Sequence, residues 1–198
     1  TNHHRDSFFF SKIEKIIFEF KDIIKLSFSN TELFNIFKKD KRILLFLFEE
    51  NIITIDENIF DLIRTISFIK QETCQQEFDD FDNYYDKEEE EEFIDIMNSY
   101  MYYFYPEIKN FLSKEEKESI EKKLFIEGES MNDFEKKRKI GENDSYICQL
   151  IRQDSVVDFI QYINRNKISC LSKITTSIYE TNFIFNSKNP SLIEYAAF

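Results

Sequence analysis

A chain of 198 residues with 42% hydrophobic and 32% charged side chains is long enough to bury a core and too apolar to remain unfolded. With only two glycines, two prolines and no tryptophan, it lacks the positive-φ residues that β-hairpins need, which argues for an all-α fold. The net charge of −12 is local: residues 71–92 carry eleven acidic side chains against one basic, and the rest is near balance without the clustered Lys and Arg of a nucleic-acid surface.

From Asp6, an N-cap residue type, Phe9, Ile13, Ile16, Ile17, Phe20, Ile23 and Ile24 recur every three or four residues and predict a helix over about 7–28. A second helix is expected to open at Asn30 or Thr31 and to end in the run Lys38 to Arg42. Residues 41–50 are apolar on several faces, which places a third helix between others. Asp56 caps a fourth, with Ile55 and Phe60 at the positions of a hydrophobic staple. The pattern fails over 71–92. Helical spacing returns with Phe93, Ile96, Met97, Tyr100, Met101 and Phe104, and Pro106 ends or kinks that helix. Ser113 and Glu116 form a capping box, and Gly128 follows the next helix end.

Residues 128–143 hold both glycines and the run Lys136-Lys137-Arg138-Lys139, and a domain boundary is expected there, dividing 1–137 from 138–198. Beyond it, Asp144 is expected to cap a short helix with Ile147, Leu150 and Ile151. Asp154 is expected to cap another with Val157, Ile160 and Ile163. Two short helices joined by a tight turn are the unit of a helical solenoid. A small helix is expected near 177–181.

The functional candidates are few. Cys74, Cys148 and Cys170 have no metal-binding spacing, and their odd number suits a reducing, cytoplasmic setting. No apolar run approaches the roughly 18 residues of a membrane span. His3 and His4 are the only histidines, so a Ser-His or Cys-His pair would have to involve the N-terminal end. In the acidic stretch 79–92, Asp80, Asp82, Asp86, Glu88 and Glu91 fall on the ligand positions 1, 3, 7, 9 and 12 of an EF-hand loop. Tyr85 stands where the turn needs Gly and Tyr84 where an oxygen ligand is needed, so the expectation is a solvated acidic segment, with a calcium- or metal-responsive helical regulatory domain as the alternative function. No catalytic, cofactor-binding or metal-binding residue is assigned.

The only alanines, Ala196 and Ala197, adjoin each other in Ser191-Leu192-Ile193-Glu194-Tyr195-Ala196-Ala197. That run aligns with the ankyrin helix signature Thr-Pro-Leu-His-x-Ala-Ala, with Ser191 for the Thr, Ile193 for the Leu, and Leu192 and Glu194 replacing the Pro and His. Small residues at that place predict a close contact with the preceding helix pair, and the chain is expected to run on into a repeat array. Together with Arg138 to Asp154 and Ser177 to Asn182, the segment from Pro190 to Phe198 resembles the domain of unknown function that precedes ankyrin repeats in the large ankyrin protein families of trichomonad protists. The resemblance implies a helical N-terminal region leading into a degenerate helix-pair module and the start of an ankyrin-type solenoid. It also implies that the partner is another protein, and it supplies no activity. The replacements at Leu192 and Glu194 imply an atypical, cap-like repeat.

Overall fold

The computed structural model describes residues 7–66, 99–125, 129–175, 177–182, 185 and 189–197. Helix dominates among them, as the shortage of turn residues predicts. No strand forms among the described residues, and an antiparallel bridge joins Lys173 to Ser191.

The first expected helix bends at Phe20, which separates α1 (Ser7–Glu19) from α2 (Lys21–Ser27). Hydrogen bonds still cross the bend, from Phe20 N–H to Ile16 O at 3.2 Å and from Ile24 N–H to Phe20 O at 2.9 Å. Phe10, Ile13, Ile17 and Ile24 pack on the core, whereas Ile16, Phe20 and Ile23 face outward. The next helix, α3 (Asn30–Phe37), opens at Asn30 as expected and is capped by Ser29. Glu32 N–H donates to Ser29 Oγ at 3.3 Å and Ser29 N–H donates to the Glu32 carboxylate at 2.8 Å, a reciprocal capping box. Asn30 is thereby free to clamp Thr54, bonding its carbonyl at 3.2 Å and its N–H at 3.3 Å.

Asp40 caps α4 (Lys41–Glu49), which lies in the middle of the core as its all-round apolarity predicts, with Ile43, Leu44, Leu45, Leu47 and Phe48 buried. Lys41 is buried as well, and its ammonium sits over the rings of Tyr100 and Tyr103 at 5.1 and 5.4 Å, where the aromatic quadrupoles offset lost hydration. Asp56 caps α5 (57–66) through the Ile59 N–H at 2.8 Å, and Ile59 and Ile63 are fully buried. Residues 67–98, which include Cys74, the acidic stretch and Phe93 to Met97, lie outside the described residues, as do His3, His4 and Gly128.

After α6 (Ser99–Tyr103) the chain turns at Phe104 into α7 (Tyr105–Ile108), where Pro106 occupies the first turn and its missing N–H removes no helical bond. A short 3₁₀ turn leads to α8 (Lys114–Leu124), opened by the expected box of Ser113 and Glu116 at 2.8 and 3.2 Å. Next comes α9 (Met131–Ile140), capped by Ser130 and ended by Gly141 with φ of 72°. The basic run and the expected domain boundary therefore fall inside a helix whose Phe134 and Arg138 are buried.

Two further expectations about caps are corrected. Ser145, not Asp144, precedes α10 (Tyr146–Arg152), and Ser155, not Asp154, precedes α11 (Val156–Asn166). Asp154 instead takes a left-handed conformation, φ 52°, in the turn between the two helices. The small helix expected near 177–181 is a turn closed by Glu180 N–H to Ser177 O at 3.1 Å. The last element is α12 (Leu192–Ala197).

Buried side chains gather in two apolar clusters. The larger joins α3 to α9 and receives Tyr179 from far along the chain; the smaller comprises Cys148, Ile174, Phe185, Leu192 and Tyr195. Burial raises the phenol pKa of Tyr100, Tyr103 and Tyr179 well above the ordinary value of 10, and burial with bonding to Glu121 pushes Tyr105 up to about 12. Because the folded state favours the neutral phenol, this contribution to stability is complete below about pH 10 and is lost as the pH rises past it. An ultraviolet titration should therefore show these tyrosines ionising only as helical circular dichroism disappears. Ionisation of all ten tyrosines at the ordinary pH within a folded chain would contradict the packing.

Candidate interaction surface

The ankyrin-like run is split between the inside and outside of the smaller cluster. Leu192 is 3% exposed and Ser191 is buried, whereas Ile193, Glu194, Ala196 and Ala197 are exposed. The alanines, expected to sit against the helix pair, face outward. The anchor is Tyr195: its ring lies 4.9 Å from that of Phe185, and its hydroxyl accepts from Arg152 Nη1 at 3.1 Å. Leu192 and Tyr195 are three residues apart, one face of a helix, and that spacing was the available signal.

Ser191 and Glu194 open α12 together. Glu194 N–H donates to Ser191 Oγ at 3.4 Å, while Ser191 N–H donates to the Glu194 carboxylate at 2.7 Å. This is the same Ser-x-x-Glu box that opens α3 and α8. The Ser191 N–H and hydroxyl, then the Lys173 ammonium, hold the Glu194 carboxyl below its ordinary pKa. The cap is therefore complete above the ordinary carboxylate range and fades as the pH falls through the lowered value.

The segment after Gly141 is held by a polar network. Asn143, itself buried, donates its backbone N–H to Glu180 at 3.2 Å and its amide to Thr175 O at 2.8 Å. Arg152 pairs with Glu142 at 2.5 Å and also donates to Asn143 O. Gln149 donates to Asp144 O at 2.7 Å and Asn143 Oδ1 accepts from the Ser145 N–H at 3.0 Å, so side chains other than the expected Asp144 carboxylate organise the start of α10.

Every cation of the basic run is ion-paired. Lys136 meets Asp133 at 3.8 Å, Lys137 meets Asp144 at 2.9 Å and Glu129 at 3.0 Å, Arg138 meets Glu107 at 2.6 Å, and Lys139 meets Glu49 at 3.3 Å. Cys148 is buried in the smaller cluster and Cys170 is exposed. Among the described residues, no group of His, Cys, Asp or Glu could hold a metal ion, and no helix is long and apolar enough to cross a membrane. The loop considered for calcium lies outside those residues.

What the smaller cluster leaves open is one side of α11. Phe159, Tyr162 and Ile163 are half-buried, but no residue of this helix is fully buried. Val156, Val157 and Ile160 are 60%, 67% and 47% exposed, and Tyr146 lies alongside with its ring 5.2 Å from that of Tyr162. On a helix, positions 156, 157 and 160 share a face, so these residues form a continuous aliphatic strip. No family model matches the chain, and no curated protein or solved structure shows significant similarity to it.

In the 198-residue chain, Tyr195→Ala should lower stability by about 3–5 kcal/mol, the usual loss for a buried aromatic. Ala196→Leu and Ala197→Leu should each shift it by roughly 0.5 kcal/mol or less, as exposed substitutions do. Denaturant unfolding measures all three. Alanine variants as damaging as Tyr195→Ala would put the tight contact back on the small residues.

Proposed function

We propose that this chain is a protein-interaction module of the kind that leads into an ankyrin array, acting in the cytoplasm, with the aliphatic strip on α11 as its docking face. The observation that carries the reading is that strip: an amphipathic helix with no fully buried residue and three aliphatic side chains about half or more exposed. Apolar strips of this kind on monomeric surfaces mark interaction sites. The helix is braced from behind by α10, and α12 packs on α10 through Leu192 and Tyr195, so the strip is presented on ordered backbone and association costs little ordering entropy. Its partner is a protein offering a complementary apolar helix, with contacts at helical spacing. No catalysis and no nucleic-acid binding belong to the proposal. The internal pairing of Lys136 to Lys139 supports the second point.

The test compares the parent chain with Val157→Lys and Ile160→Lys. Both substitutions lie at solvent-exposed positions, so the unfolding midpoint should hold. Affinity capture followed by mass spectrometry should lose the same specific proteins from both variants. If the captured set is unchanged, the strip on α11 is not the docking face.

A further inference from the structure

Among the described residues beyond Ile140, only Ile178 and Tyr179 reach the larger apolar cluster. Tyr179 is 4% exposed and its ring lies 5.6 Å from that of Phe134 on α9. Beyond these apolar contacts, the rim of the plug is charged or polar. Lys137 of α9 is held between Asp144 at 2.9 Å and Glu129 at 3.0 Å, and its ammonium stands 5.4 Å from the centre of the Tyr179 ring. The Tyr179 hydroxyl donates to Glu129 at 3.1 Å, and Ser177 Oγ donates to Asp144 at 2.9 Å. Thr181 Oγ1 donates to Gly141 O at 2.7 Å. On the far side of Gly141, a cleft of about 140 Å³ lies between Phe10, Asp40 and Arg42 on one wall and Glu142, Thr181 and Asn182 on the other.

We infer that the 177–182 turn is a charge-operated clasp, with Tyr179 as its plug and Lys137 as its pin, and that ionic competition opens it, withdrawing Ile178 and Tyr179 and freeing the helix-pair segment while the rest of the larger cluster and the smaller cluster stay folded. The physical basis is the contrast between the two kinds of contact. The clusters are held by apolar burial, which salt does not weaken, whereas the turn gives the larger one only Ile178 and Tyr179 among the described residues and is otherwise held by polar contacts. The pin is an ion pair whose lysine is 37% exposed, within reach of counterions and screened over about 10 Å at 0.1 M salt. Gly141 supplies the pivot, because its φ of 72° is a left-handed conformation that other residues adopt with strain. Opening uncovers the Phe134 face of α9 together with Ile178 and Tyr179. This inference does not depend on what α11 binds.

Hydrogen exchange of the complete, unmodified chain in about 0.05 M and 1 M sodium chloride tests it. Amides of 141–145 and 177–182 should exchange about tenfold faster at high salt, with those of 30–66 unchanged within about twofold. Lys137→Met should show the fast exchange already at low salt and lose the salt response. Tyr179→Phe, which keeps the plug but not the bond to Glu129, should fall between parent and Lys137→Met. Equal acceleration in both regions, or no response of 141–145 and 177–182 to salt in the parent, overturns the clasp. The parent comparison decides the matter even if Lys137→Met does not fold.

Discussion

The arrangement of the described helices depends on one buried cation. Arg138 is 3% exposed, and its Nη1 donates to Tyr103 O at 3.1 Å and to the Glu107 carboxylate at 2.6 Å, while the Tyr103 hydroxyl donates back to Arg138 O at 3.2 Å. A single side chain thus ties the end of α6, the body of α7 and the last turn of α9. Its guanidinium also faces the rings of Phe134 and Tyr103 at 5.7 and 5.9 Å, and its Nε has no hydrogen-bond partner among the described residues. Moving such a charge from water costs several kcal/mol per ion, on the order of what the pairing returns, so the pair contributes little net stability compared with a well-packed apolar equivalent. What it supplies is geometry. Burial pushes the Glu107 carboxyl up in pKa against the opposing pull of Arg138, and losing either partner would leave an uncompensated charge inside.

That geometry fixes everything attached to the last turn of α9. Lys137 points to Asp144 and Glu129, Lys139 to Glu49 on α4, and Gly141 turns the chain toward α10. Three consecutive basic residues therefore serve three different directions. The smaller cluster hangs from this turn, and Tyr179 returns from it to pack on Phe134, one turn before Arg138.

The sequence was most legible where a short polar side chain had one evident task. Asp56 and Ser113 stand before apolar or charged helical runs and cap them. The all-round apolarity of 41–50 correctly implied a central helix because no face of it could be left to water. Legibility failed where the physics is not carried by apolar periodicity. α9 has few apolar residues between Ser130 and Ile140, so the segment resembles a linker, yet Phe134 and the buried Arg138 are enough to anchor it. The same bias toward pattern affected the last helix. Ser191-x-x-Glu194 is a capping box in its own right, but beside two alanines it was aligned to an ankyrin signature, and the residue between, Tyr195, turned out to bear the packing. Asp144 and Asp154 have the chemistry of caps, but one is taken by Lys137 and Ser177 and the other by a left-handed turn, competitors that lie outside any local window.

Among the described residues the second cluster has five buried side chains, and the polar network through Asn143, Arg152 and Glu180 holds the segment alongside them. Anything that covers Val156, Val157 and Ile160 adds apolar burial to a helix with no fully buried residue. By mass action it stabilises the closed form of the clasp only in proportion to how much better it binds that form. In the proposed clasp both forms keep the smaller cluster folded and present the strip alike, so docking on α11 and opening at Lys137 are independent events.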